Sequence, residues 1–175
     1  MSTRILTLIA VLTAMLCILG PVTLPLGPVP LSLTTGLLML MALLLGPRRA
    51  LLCCGLYLLL GVAGLPVFSG FTGGMGALLG PTGGFLLGYL PLTLMGGLVC
   101  QRTQQRMLQA CGFAAGTVML YLLGTAWYVQ QAGTTVSAAL TVCVLPFLPG
   151  DAMKIAAVLT FGHAIKTRLK KAGLI

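Results

Sequence analysis

The chain has 175 residues, 58% of them hydrophobic and only 6% charged, with a net charge of +9. Soluble domains carry about 25% charged residues, so this composition excludes a soluble domain and describes an integral membrane protein. The basic residues sit between apolar runs and form no face of their own, which is a topology signal and excludes a nucleic-acid-binding surface.

The apolar runs predict six spans, near 4–20, 30–46, 49–65, 82–100, 107–129 and 150–167. Aromatics make up 6% of the residues, and the hydrophobicity comes in long runs. A membrane β-barrel would alternate apolar and polar residues instead. At about 20 residues per span, the expected architecture is one all-α domain over 1–175, an integral bundle of six transmembrane helices. The first run, "RILTLIAVLTAMLCILG", has the charge and apolar core of a signal peptide but no A-x-A-like cleavage site. It is therefore expected to stay as the first span. Within it Ala10 and Ala14 lie four residues apart on one helical face, a spacing that lets another helix approach closely. Gly83, Gly84, Gly88, Gly96 and Gly97 in the fourth run, and Gly112 and Gly116 in the fifth, offer the same kind of surface. The triplet Leu-Gly-Pro recurs at 19–21, 26–28, 45–47 and 79–81 with irregular spacing. It is helix punctuation, because Gly ends helices and Pro cannot continue them.

The charges follow the spans. Arg4 precedes the first, Arg48 and Arg49 separate the second and third, and Arg102 and Arg106 separate the fourth and fifth. Lys166, Arg168, Lys170 and Lys171 close the chain. With six spans all of these fall on one side, and the connections at 20–30, 66–81 and 130–149 carry no charge. The positive-inside rule then places both termini in the cytoplasm. The uncharged outer connections are long: "GPVTLPLGPVP" has four prolines and "PVFSGFTGGMGALLGP" five glycines. Such loops read as a lid over a cavity. Trp127 and Tyr128 read as an interfacial aromatic anchor.

No cofactor is expected. The six cysteines are scattered in the apolar runs without a C-x-x-C, and the lone His163 cannot complete a zinc set, so they read as small buried hydrophobes. What remains is "PFLPGDAMK" (146–154), with the chain's single acidic residue, Asp151, and Lys154 three positions on. Pro149 and Gly150 break the chain before a helix, Asp151 falls in its first turn, and Lys154 stands on the same face one turn deeper. Two readings follow from these residues. In one, Asp151 is a helix cap that neutralises a snorkelling lysine in a structural subunit. In the other, an outward-facing pocket uses Lys154 for an anionic or strongly polar small molecule, with Asp151 orienting it. An enzymatic reading lacks residues: His163 is about two and a half turns beyond Lys154, and no P-loop or G-x-S-x-G occurs. Energised transport would need a separate motor.

Four stretches resemble the BioY family, biotin-specific S components of energy-coupling-factor transporters. They are "GPVPLSL" (27–33), "GLPVF" (64–68), "LLGPTGGFLLGY" (78–89) and "PFLPGDAMK", the last similar to the family's P-F-x-P-G-D-x-x-K signature. The resemblance runs along nearly the whole chain. It implies uptake of biotin across the cytoplasmic (inner) membrane, with Asp151 and Lys154 helping to bind it near the outer face. Phe68, Thr82 and Tyr89 are further candidates for the wall and polar contacts. It also implies that the pair Ala10 and Ala14 contacts a transmembrane coupling protein, which works with cytoplasmic ATPases, although some members act without dedicated partners. An S component for another small vitamin is the alternative substrate reading. One departure is that "LSLTT" puts Thr34 where the family has Gln, a position expected near the pocket.

Overall fold

The computed structural model describes residues 3–24 and 31–173, so the motif at 27–33 lies only partly within the described residues. The fold is all-α apart from one minimal hairpin. Its elements are α1 (Thr3–Leu19), β1 (Thr23–Leu24), β2 (Leu31–Ser32), α2 (Thr34–Leu45), α3 (Pro47–Val62), α4 (Met75–Leu79), α5 (Gly83–Arg102), α6 (Arg106–Ala132), α7 (Val136–Cys143) and α8 (Leu148–Lys171). The two strands pair antiparallel, Thr23 opposite Ser32 and Leu24 opposite Leu31.

Helices α1, α2, α3, α5, α6 and α8 fall on the six apolar runs. By length and hydropathy, α5 and α6 can each cross a bilayer alone, and α7 with α8, bent by 45° to one another, would make a third if the bent pair is one span. Helix α2 has 12 residues, about 18 Å at 1.5 Å per residue, because the chain at 31–32 is committed to the strand pair. Two short helices stand in connections expected to be loops. Helix α7 is started by Thr135, whose hydroxyl accepts from the Ala138 amide at 3.4 Å, a favoured N-cap arrangement. Helix α4 follows Gly74, whose φ of 84° turns the chain into it. Helix α8 begins at Leu148, so Pro149 and Gly150 belong to its first turn and do not precede it. Proline fits there because a first-turn amide has no partner in the helix.

Helices α5 and α6 pack backbone to backbone. A Cβ on Gly88 would lie 2.9 Å from the Leu120 Cα, and one on Gly116 would lie 2.9 Å from the Leu92 Cα. Between membrane helices apolar side chains gain little over lipid, so close backbone approach at small residues supplies the attraction. At the far end of this seam Gly84 admits Trp127, whose indole Nε1 donates to the Gly80 carbonyl at 2.9 Å. Trp127 thus pins α6 to the turn before α5. The fully buried side chains Leu16, Leu38, Met39, Tyr57, Leu92 and Phe113 fill the space between helices.

Apart from Lys154 and Asp151, the chain places its charges at one end. Arg48 and Arg49 open α3, Arg102 closes α5, Arg106 opens α6, and the last basic residues close α8. A Cβ on Gly173 would lie 4.0 Å from the Arg4 guanidinium, so the two ends of the described chain are neighbours. Asp151 lies at the opposite end.

Gly116→Ala is expected to lower the thermal unfolding midpoint in detergent, overpacking against Leu92 costing about 1–3 kcal/mol. Gly55→Ala, with nothing within 4 Å of its Cβ, is expected to raise it through helix propensity, by about 1 kcal/mol or less. Equal shifts in the two variants would contradict the close approach of α5 and α6.

Candidate functional site

Asp151 is buried, and its carboxylate is held by three helices. Lys154 Nζ, on its own helix, donates to Oδ1 at 2.8 Å. From α2, the Thr35 hydroxyl donates to the same oxygen at 3.2 Å while accepting from Lys154 Nζ at 2.9 Å. From α6, the Tyr121 hydroxyl donates to Oδ2 at 2.6 Å. The side chains of Lys154 and Asp151 are 14% and 7% exposed. Taking such ions out of water costs several kcal/mol each unless their remaining valences are filled, and here they nearly are. The geometry sets aside the capping part of the first reading of "PGDAMK". The N-cap of α8 is Phe147 and makes no side-chain cap; the Asp151 carboxylate reaches across to α2 and α6 instead.

A count of valences shows what is left for a ligand. A carboxylate offers about four lone-pair sites and an ammonium three N–H groups. Three of the former and two of the latter are engaged within the protein. The pair can therefore offer an incoming molecule one charged N–H and one acceptor position.

Asp151 and Lys154 line a cavity of about 180 Å³, and Phe68, Thr82 and Tyr89 line it with them. All five pocket candidates thus converge from four segments of chain: the loop after α3, the turn before α5, α5 itself and α8. The remaining wall includes Phe85, Leu86, Leu120 and Phe147, with the hydroxyls of Ser32, Ser69 and Thr72 on the loop side. Phe68 is set by its neighbours. Its ring would overlap a Cβ on Gly61, it meets Tyr57 edge to face at 5.5 Å, and its amide donates to the Thr72 carbonyl at 2.9 Å. Tyr57 donates in turn to the Val67 carbonyl at 3.0 Å. The loop tip at Phe71 takes φ 59°, a left-handed conformation uncommon outside glycine, and the Gly70 amide donates to the Pro21 carbonyl at 3.1 Å. This connection is therefore tied to the one after α1 and forms one side of the cavity.

Several expectations land elsewhere. Thr34 opens α2 beside the cavity without lining it, its hydroxyl donating to the Gly20 carbonyl at 3.5 Å; Thr35, one residue on, is the α2 residue that lines it. Trp127 is an internal clamp and not only an interfacial anchor. Of the cysteines, Cys53, Cys54, Cys100 and Cys143 are buried, Cys17 is half-buried and Cys111 is exposed, so the buried reading fails for Cys111. Its side chain points outward from α6, whose inner face is taken up by Gly112 and Phe113. Ala10 and Ala14 lie on the exposed face of α1, between Leu6, Val11 and Ile18. Sequence reading missed Thr35 and Tyr121, the two neutral donors to Asp151. A hydroxyl in an apolar run was the available signal, and it is shared by many residues that bond only to their own helix, as Thr93 and Thr117 do.

Comparison with known proteins matches residues 1–171 to the BioY family. The biotin transporter BioY of Thermotoga maritima is 34% identical over 164 residues, covering 92% of each chain. That of Rhodobacter capsulatus is 37% identical over 166 residues, covering 87% of each. Among solved structures, the S-component for biotin from an ECF-type ABC transporter superposes with a TM-score of 0.88 at 27% identity, covering 95% of each chain.

Removing the lysine leaves a buried carboxylate without its cation. Lys154→Met is expected to destabilise the protein by about 3 kcal/mol, and the double change Asp151→Asn with Lys154→Met to restore part of that loss. Thermal unfolding of the three proteins measures it; a single variant as stable as wild type would show that the pair is not coupled.

Proposed function

The chain belongs to the BioY family, and from that premise we infer that it takes up biotin, with the cavity beneath Phe68 as the seat of the vitamin. The observation that carries this reading is the pair's unspent valence: one lysine N–H, in a shell otherwise made of aromatic, leucine and hydroxyl side chains. Biotin is a neutral ureido-thiophane body with a carboxylate tail, and its needs match that inventory. Lys154 takes the carboxylate in a charge-assisted hydrogen bond. Phe68, Phe85 and Tyr89 supply apolar wall for the fused rings. The hydroxyls of Thr82, Ser32 and Ser69 are within the lining and suit the ureido group, which both donates and accepts. Asp151 orients the lysine and, through Tyr121 and Thr35, keeps its charge paired when the site is empty.

The wider assignment follows from charge. The protein sits in the cytoplasmic (inner) membrane as one domain of six spans. Its basic end and both termini face the cytoplasm, and the cavity faces out. No catalytic step is assigned to any residue. Energy for release inward comes from partners: a transmembrane coupling protein that seats on the Ala10–Ala14 face of α1, and cytoplasmic ATPases that act on it. The small side chains there let a second helix approach closely.

Equilibrium binding of labelled biotin to the purified protein tests the site. Lys154→Ala is expected to weaken binding about tenfold to a hundredfold, the worth of a hydrogen bond to a charged group, and more than any cysteine-to-alanine change. Biotin methyl ester, which lacks the anionic tail, is expected to bind wild type correspondingly weakly and to bind Lys154→Ala about as well as biotin does. An ester that binds wild type as tightly as biotin would remove the carboxylate from Lys154.

A further inference from the structure

A second cavity, of about 670 Å³, lies at the basic end of the bundle. It forms where α2 ends at Leu45, the chain turns through Gly46 at φ 77°, and α3 starts with Pro47. Helix α5 runs close beside this corner, since a Cβ on Gly97 would lie 2.7 Å from the Pro47 Cα. Arg48, Arg49 and Lys166 line the cavity together with Gln101. Among the described residues none of these three cations makes a side-chain hydrogen bond or ion pair; the chain's sole carboxylate side chain, Asp151, is bound to Lys154 at the other end. The first turn of α3, which has no side-chain cap, adds the partial positive charge of a helix N-terminus. Three like charges gathered at one cavity repel each other unless an anion joins them.

The wall has a second character. Leu94 and Leu98 of α5 also line the cavity, and each is 38% exposed, so the lining runs from cations onto the apolar surface that faces lipid. A free phosphate would use only the first part, and a bare acyl chain only the second. We propose that this cavity binds the phosphate headgroup of an anionic membrane lipid, with Arg48, Arg49 and Lys166 on the phosphate and Leu94 and Leu98 against the start of an acyl chain. Basic pockets between membrane helices favour such headgroups, and each cation near an anionic surface is worth roughly fivefold in affinity. The bound lipid would neutralise the corner joining α2 and α3 and tie the basic end of the bundle to the anionic leaflet. This inference is independent of what the outer cavity binds.

Native mass spectrometry of the purified chain with dioleoyl phosphatidylglycerol, dioleoyl phosphatidylcholine and inorganic phosphate as separate probes tests it. Wild type is expected to retain phosphatidylglycerol over phosphatidylcholine. The triple variant R48Q/R49Q/K166Q is expected to lose that retention by about a hundredfold, taking roughly fivefold per cation. The control R102Q/R106Q removes two cations at the same end that do not line the cavity, and should change retention by less than about threefold. Thermal unfolding of each variant confirms that it is folded; if the triple variant is unfolded, the single changes Arg49→Gln and Lys166→Gln carry the same test, each expected to reduce retention roughly fivefold. Equal retention by folded wild type and variants, equal loss in the control, or inorganic phosphate displacing the lipid at equal concentration would each overturn the proposal. So would unchanged lipid retention by a triple variant that no longer assembles with a protein partner, which would make the cavity a protein-docking site.

Discussion

The structure depends on one requirement: a single carboxylate placed in an apolar solvent must have its charge paired and its lone pairs filled. Asp151 meets it with Lys154 from α8, Thr35 from α2 and Tyr121 from α6. Each donor comes from a different helix, so the relative rotation of three helices is set by a single side chain. A buried ionic pair loses several kcal/mol if one partner is missing. The pair is therefore a positioning device for its end of the bundle as well as the polar spot of the cavity.

That device works only because the rest of the bundle is held closely by a different kind of force. Helices α5 and α6 meet at Gly88 and Gly116 with backbone against backbone, and Gly162 on α8 admits Leu43 of α2. Gly36 on α2 leaves space into which the stem of Lys154 is laid, its Cγ 3.4 Å from where a Cβ would be. A larger residue there would push the ammonium away from Thr35. Small residues fix distances between helices, and the hydrogen-bonded carboxylate then fixes their rotation.

The molecule is polarised along its long axis. One end holds a neutralised charge pair under uncharged loops tied to each other through Gly70 and Pro21. The other holds nearly all the cations with no acidic side chain to meet them. Coulomb energy within the chain cannot satisfy that second end, so its partners must lie outside: an anionic leaflet, an anionic lipid head or water. The paired charges and the unpaired cations thus lie at opposite ends of the bundle.

Sequence alone was enough for the all-α architecture, the six apolar runs, the segregation of charge and the pairing of Asp151 with Lys154. These depend on composition, on run length and on i, i+3 spacing within one helix, all of which are local. Phe68, Thr82 and Tyr89 were implied by the resemblance to the BioY family, and all three line the cavity. Four things were decided only by tertiary structure. Thr35 and not Thr34 faces the cavity, because one residue is about 100° of helix rotation and nothing in "LSLTT" states where α2 points. Tyr121 reaches Asp151 across 30 residues of chain, a register set by the glycine seam of α5 and α6. Asp151 is no cap, because the helix starts at Leu148 and three side chains compete for its carboxylate. Helices α4 and α7 form inside expected loops, because Gly74 and Thr135 supply helix starts that a hydropathy reading passes over. What is local in the chain was legible in it; what depends on how one helix is turned toward another was not.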